Sequence, residues 1–383
     1  MNSASFQGFD PSRVPSPSFV IDVAAIEANL AVLADVQARS GAKVLAALKA
    51  FSLPALGRLT TQYLSGTCSS GVHEALLAHQ HYGGEVHVFS AAFKDSDIDA
   101  LLPIADHLVF NSVAQLHRFR ERALAAGLTL GIRINPEHSE GAVELYDPCA
   151  PCSRLGIPAS ELDGADLDGV TGIHFHTLCE QGFEHLSRTL DAVEARFGEL
   201  LPTLEWVNFG GGHHITAPGY DIEGLIGRVK AFSERYGVQV YLEPGEAVAI
   251  RSGVLVAEVL DTPRNGIDLA ILDTSATCHM PDTLEMPYRA DIFGAGEASE
   301  KAHTYRLGGQ TCLAGDVIGD YSFDAPLTIG QRVMFDDMAH YTLVKTNTFN
   351  GIPLPALVLW DSRDDRLEVL RTFGFTDFAT RLG

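Results

Sequence analysis

Lys43-Val-Leu-Ala-Ala-Leu-Lys49 is a short apolar run that ends in one ammonium, immediately before the turn Ala50-Phe-Ser-Leu-Pro54. Read as a buried strand, it sets a lone amine at the strand's C-terminal mouth. An amine held there is partly desolvated, which lowers its pKa and frees a lone pair to attack a carbonyl. The ordinary alternative is a lysine whose aliphatic stem lies along apolar surface with its head in water. The runs that follow bear on the choice, because they too end in polar groups.

Seven more strand candidates succeed it at fairly regular spacing: Gly66–Ser70, Val86–Ser90, His107–Asn111, Thr129–Asn135, Val170–His176, Glu205–Gly210 and Val238–Gly245. Helical stretches lie between them. Ser112 followed by Gln115 reads as a capping box opening a helix to Ala126, while Gly182–Phe197 and Ile222–Tyr236 have helical apolar spacing. Ahead of the first strand, Asp22 can cap a helix with Ile26, Leu30, Leu33 and Val36 on one face, stopped by Gly41. Eight apolar strands alternating with helices imply an α/β fold with a parallel sheet covered on both faces, and eight is the number that closes a (β/α)8 barrel of the TIM type. A doubly wound open sheet would gather its useful strand ends near one switch point. Here they are spread over nearly every strand, through Lys49, Ser69, Ser70, Ser90, Asn111, Arg133, Asn135, His174, His176, Asn208 and Glu243. The barrel is therefore favoured.

From about Arg251 the rhythm changes. Val254–Asp261, Leu269–Ala276 and Arg332–Phe335 are β-type runs parted by Gly, Pro and Asp, which reads as an all-β domain. Pro17–Ile21 is a spare strand that can pair with it. The expected division is a barrel over residues 30–250 and a C-terminal all-β domain, residues 251–383, that also takes the N-terminal residues 1–29.

The 383 residues, 46% of them hydrophobic, can bury a large core. A formal charge of −22 argues against nucleic acid, which needs basic patches. Such a field is common on soluble proteins, but it would also attract a polycationic small molecule. Residues 1–17 carry no apolar signal region and no later run approaches membrane-spanning length, so no membrane is expected. Six scattered cysteines point to reduced thiols and a cytoplasmic location.

Gly210-Gly211-Gly212 follows the seventh strand, where barrels commonly bind phosphate, and consecutive glycines let backbone N–H groups converge on an anion. A flexible turn is the alternative. Glu243-Pro-Gly245 closes the eighth strand; a carboxylate there can hold a pyridine nitrogen protonated, or simply be solvated. Alternation puts His174 and His176 on one face, where one ring could lie flat on a cofactor. With Cys179 they have tolerable metal spacing, but no matching ligand cluster occurs elsewhere, so no metal is expected. Cys149-Ala-Pro-Cys152 has no partner pair and reads as coincidence.

Lys49, His176, the Gly210–Gly212 loop, Glu243-Pro-Gly245, Cys312 and Tyr341 occur in an order that resembles the fold-type III pyridoxal-phosphate decarboxylases, among them the ornithine and diaminopimelate decarboxylases. The resemblance runs from about Pro17 to Asp361. His174-Phe-His-Thr-Leu-Cys-Glu180, Gly210-Gly-Gly-His-His214, Glu243-Pro-Gly-Glu-Ala247, Cys278-His-Met-Pro-Asp282 and Cys312-Leu-Ala-Gly-Asp316 are similar to the carboxynorspermidine decarboxylase branch. The resemblance implies that Lys49 binds pyridoxal 5'-phosphate, His176 stacks on its ring, Glu243 pairs with its nitrogen, and the glycine loop with Tyr341 holds its phosphate. It implies Cys312 as proton donor, supplied across a homodimer with active sites at the subunit interface. Where ornithine and diaminopimelate decarboxylases usually carry arginine after Glu-Pro-Gly, this chain has Glu246. That glutamate, with Asp282 and Asp316, suits the amines of a carboxynorspermidine or carboxyspermidine substrate in polyamine synthesis. The alternatives are another basic amino-acid decarboxylase or a racemase on the same fold, or a non-catalytic pyridoxal-phosphate carrier. The two triamine precursors differ by one methylene, worth only about 1–3 kcal/mol.

Overall fold

The computed structural model describes residues 3–141 and 147–383. The chain forms two compact units, Glu27–Val248 and Met1–Ile26 with Ala249–Gly383.

The first unit is a closed barrel. Its strands are β1 (Lys43–Ala47), β2 (Gly66–Ser69), β3 (Glu85–Phe89), β4 (His107–Phe110), β5 (Thr129–Asn135), β6 (Val170–His174), β7 (Trp206–Asn208) and β8 (Gln239–Leu242). Every neighbouring pair is parallel, β4 joins β5, and β8 returns to β1. The eight strand expectations hold: Thr129–Asn135 keeps its bounds, Glu85–Phe89 is shifted by one residue, and the other six lose one to three residues at an end. Lys49 is thereby placed in the turn after β1, two residues beyond its last paired position.

Two of the expected helices keep their bounds to within a residue, Phe183–Phe197 and Ile222–Tyr236. The helix Val23–Ser40 buries Ile26, Leu30, Leu33 and Val36, and Asp22 accepts from the amide of Ala24 at its start. Ser112 caps Val113–Ala125 through the amide of Gln115, but the box is not reciprocal. The Gln115 side chain accepts from the Phe93 amide instead.

Inside the barrel, Gly131 and Gly172 face the Trp206 indole. A Cβ on them would lie 2.4 and 2.0 Å from it, so only glycine leaves room for the ring. Leu45, Val109 and Tyr241 pack with Trp206. His87 and His107 stack at 3.8 Å and 11°, and Trp206 meets His107 edge-on. Below them Glu85 accepts from Lys43, from Tyr241 Oη (3.1 Å) and from His87 Nε2 (2.9 Å). Burial alone would raise the Glu85 carboxyl, but His87 and Lys43 outweigh it and bring it down to about 2.

In the second unit, Ser18–Asp22 pairs antiparallel with Gly253–Asp261 and parallel with Ala356–Asp361, so the spare N-terminal strand is central to that sheet. Arg332–Phe335 also pairs with Gly253–Asp261. The expected strand Leu269–Ala276 is instead Ile267–Leu272, because Ser275 accepts from the Cys278 amide and caps a short helix at Ala276–His279. Among the described residues no helix is long and apolar enough to cross a membrane.

Burial first, then the neighbouring His87, pulls His107 from 6.5 to about 3, so it is neutral in the fold. In the unfolded chain it takes up a proton near pH 6.5. Its stability contribution is therefore complete above that pH and is lost as pH falls toward 3, by a few kcal/mol at most. His107→Phe keeps a ring in the stack and removes this proton uptake. Between pH 7 and pH 4 its Tm should fall by about 5 °C less than that of the parent chain, as read by thermal unfolding across pH.

Candidate active site

Strand pairing sets the floor of the site. Arg133, His174 and Asn208 are register neighbours on β5, β6 and β7, all pointing inward one step above the Trp206 layer. Glu243, just past β8, reaches between them: Asn208 Nδ2 donates to its Oε1 at 2.7 Å, and His174 Nε2 lies 3.2 Å from its Oε2. Burial pushes the Glu243 carboxyl up. The charge and hydrogen bond of His174, with help from His87 and Asn208, override this and bring it down to about 2. Glu243 is an ionised carboxylate inside the barrel.

The glycine loop arches over it. Gly210 and Gly212 have φ of +71° and +82°, and a Cβ on either would lie 2.2 Å from the Phe175 carbonyl or 2.0 Å from that of Leu178. A Cβ on Gly211 would meet the Glu243 carbonyl at 2.4 Å. His213 is pulled down to about 4 by burial, so it is neutral, and its Nε2–H donates to Gly210 O (3.0 Å). The loop is a fixed cradle rather than a flexible turn.

The Gly211 amide donates to His176 Nδ1 at 3.0 Å. A ring nitrogen that accepts has no hydrogen, so the neutral imidazole carries its hydrogen on Nε2. That nitrogen lies 3.1 Å from Lys49 Nζ and can only donate. Lys49 Nζ is thereby set at the edge of the His176 ring, within hydrogen-bond distance. Burial drives both groups the same way. It lowers Lys49, with a further contribution from the Arg133 charge, and sends His176 well below its usual range. Arg133 donates to the His176 carbonyl (3.1 Å), sits over the Phe89 ring at 4.7 Å, and is itself pulled to about 10 by burial.

At the mouth, His214 Nε2 lies 3.1 Å from Glu246 Oε1, and Glu180 joins them with its carboxylate within 4.8 Å. Burial first, then the charges of Glu180 and Glu246, push the Cys179 thiol up to about 11; Lys49 acts on the same thiol from the other direction. The amine and the acidic pair therefore share one mouth.

Sequence reasoning brought Lys49, His176, Gly210–Gly212, Glu243 and Glu246 to one place, and they are together in the barrel unit. Cys312, Tyr341, Asp282 and Asp316 belong to the other unit. Cys312 is exposed on a loop whose amide donates to Asn350 Oδ1 (2.8 Å), and Tyr341 has a left-handed backbone, φ 48°. Two of the expected substrate carboxylates are occupied. Asp282 is ion-paired with Lys345, which also reaches Glu285. Asp316 is buried and accepts from Ser275 Oγ, the Thr277 and Thr311 amides and Thr311 Oγ1, so it ties down its own loop. Glu85, His87 and His107 could be mistaken for metal ligands, but parallel stacked rings aim their in-plane nitrogens alongside one another rather than at a common point. His174, Asn208 and Glu180 were not singled out as site residues from the sequence. The two-residue alternation from His176 and the end of β7 carry the signal for the first two.

A buried amine, an ionised carboxylate braced from below and a cradle closed to any Cβ suit the aldehyde, ring nitrogen and phosphate of pyridoxal phosphate. Residues 18–339 match the family model for the pyridoxal-dependent decarboxylase, C-terminal sheet domain. The chain belongs to the pyridoxal-dependent decarboxylase family. It is 43% identical over 380 residues to the carboxynorspermidine/carboxyspermidine decarboxylase of Campylobacter jejuni, covering 96% of this chain and 99% of that protein. It is also 43% identical over 376 residues to the carboxyaminopropylagmatine decarboxylase of a Synechocystis species, covering 97% and 96%. The crystal structure of carboxynorspermidine decarboxylase complexed with norspermidine from Campylobacter jejuni superposes with a TM-score of 0.89 at 42% identity, covering 96% of this chain and all of that one. Members of the family use pyridoxal phosphate, and it is the cofactor of this chain.

Gly211→Ala should push the Glu243 carbonyl away and break the amide bond to His176. Cofactor affinity, measured by titrating the cofactor-free protein, should weaken about tenfold or more, about 1.4 kcal/mol. Unchanged affinity would mean that the cradle does not touch the cofactor.

Proposed function

We propose that this chain decarboxylates carboxynorspermidine and carboxyspermidine to norspermidine and spermidine in polyamine synthesis. The observation that carries the proposal is the acidic mouth, Glu246 with Glu180, beside the Lys49 side chain. The names of the similar proteins support it. When bound, pyridoxal phosphate supplies the electron sink that lets the α-carboxylate leave as CO₂. With the cofactor bound, Lys49 Nζ would be the amine that holds its aldehyde, His176 would lie against its ring, the Gly210–Gly212 loop and Tyr341 would hold its phosphate, and Glu243 would pair with its ring nitrogen. Cys312 Sγ would supply the proton that the substrate α-carbon takes up once CO₂ has left.

Glu246 and Glu180 receive an ammonium of the substrate, an assignment supported by the pairing of Asp282 with Lys345 and the commitment of Asp316 to its loop. We place Cys312 at the interface of a homodimer; the exposed Leu313 beside it and the exposed Phe349 next to its partner Asn350 support such a contact. Six cysteines without a disulfide fit a cytoplasmic protein.

A second reading has equal sequence identity behind it: carboxyaminopropylagmatine, whose far end is a guanidinium. CO₂ release from carboxynorspermidine, carboxyspermidine, carboxyaminopropylagmatine, diaminopimelate and ornithine separates the readings. The first two should turn over fastest, and faster release from the agmatine derivative would transfer the assignment. Lys49→Ala should abolish turnover and cofactor absorbance together. Glu246→Gln should raise KM for the triamine about tenfold while cofactor affinity stays within about twofold. Equal damage to both would reassign Glu246 to the cofactor.

A further inference from the structure

His174 has no part in the chemistry assigned above, yet it is buried to 2% exposure at the centre of the barrel. Its Nε2 faces Glu243 Oε2 at 3.2 Å, and its Nδ1 is buried with no hydrogen-bond partner. An ionised carboxylate only accepts, so His174 is the donor in this pair and its hydrogen sits on Nε2. Asn208 is fixed in turn: its Oδ1 accepts from the Gly210 amide (2.8 Å), which leaves Nδ2 aimed at Glu243 Oε1. The two oxygens of Glu243 are thus each braced from the barrel side. The charged and titratable groups around it are Lys49, Cys68 on β2, whose thiol also bonds Glu243, His87 on β3, Arg133 on β5, His174 on β6 and His213 after β7.

We propose that His174 is a positioning residue that keeps Glu243 ionised, so that the proton between Glu243 and the cofactor's ring nitrogen stays on the nitrogen. The inference rests on the pyridoxal-phosphate chemistry proposed above and deepens it. Burial by itself favours a neutral carboxyl. A carboxylate with a donor on each oxygen is a weak base; with one donor removed it becomes a stronger one. Facing a pyridinium, the stronger base draws the proton across, leaving a neutral ring hydrogen-bonded to a carboxylic acid. A neutral ring withdraws electrons less well, so the carbon–carboxylate bond breaks more slowly although the substrate is held as before. An apolar residue of similar shape at this position would fill the space but leave Glu243 to burial. The buried Nδ1 makes no hydrogen bond, which is the mark of a residue kept for its other nitrogen.

The test loads the full-length protein with pyridoxal phosphate labelled with ¹⁵N in the ring and compares wild type with His174→Phe, His174→Asn and His174→Gln. In the wild type the ring nitrogen should resonate as a pyridinium. In His174→Phe, which keeps a ring but no donor, it should move toward the neutral, hydrogen-bonded position. kcat should fall about a hundredfold with KM within about threefold. His174→Gln can still reach Glu243 and should restore the pyridinium signal and most of kcat. His174→Asn is polar but too short, and should behave like the phenylalanine variant, so the contrast survives if His174→Phe fails to fold. A pyridinium signal retained in His174→Asn or His174→Phe would overturn the role given to His174 while leaving the decarboxylase reading intact. A wild-type protein that takes up no cofactor would sink both.

Discussion

A carboxylate that stays ionised inside a closed ring of strands is the constraint on which the rest of the site depends. Burial alone favours a neutral Glu243, and it is charged chiefly through His174 on β6, with help from His87 on β3 and Asn208 on β7. That support is a matter of register. A one-residue slip of either strand would turn His174 or Asn208 outward and leave the carboxylate unsupported. The packing below enforces the register: Trp206 fits only into the recess left by Gly131 and Gly172, so three strands are keyed together immediately beneath the reactive layer.

The second dependency runs along the other side of the site. The Gly211 amide fixes the His176 tautomer, and the other nitrogen of that ring meets Lys49 Nζ at 3.1 Å. Burial lowers the lysine. The second glycine of the loop thus orients the ring beside the amine through its backbone alone.

Most of the fold was legible because short apolar runs bounded by turn residues recur eight times, and because the break in rhythm near Arg251 is abrupt. Lys49, His176, Gly210–Gly212 and Glu243 could be read because strand ends in a barrel converge. What could not be read was occupancy. Asp316 looked available until Ser275, 41 residues away, and nearby Thr311 were found bonded to it, and Asp282 until Lys345 was found against it. The His176 tautomer was equally hidden, since it hangs on the orientation of a glycine amide. Trp206 was passed over because its partners are two absent side chains, and an absence on β5 and β6 has meaning only once those strands are neighbours. Leu269–Ala276 failed for a local reason: a serine cap stopped the strand that its apolar pattern would have continued.

The aromatic plug of Trp206, Tyr241 and the stacked histidines, underlain by Glu85 and Lys43, stoppers one end of the cylinder. A cylinder stoppered there can be entered at its opposite rim, where Lys49, Glu180 and Glu246 follow the ends of β1, β6 and β8.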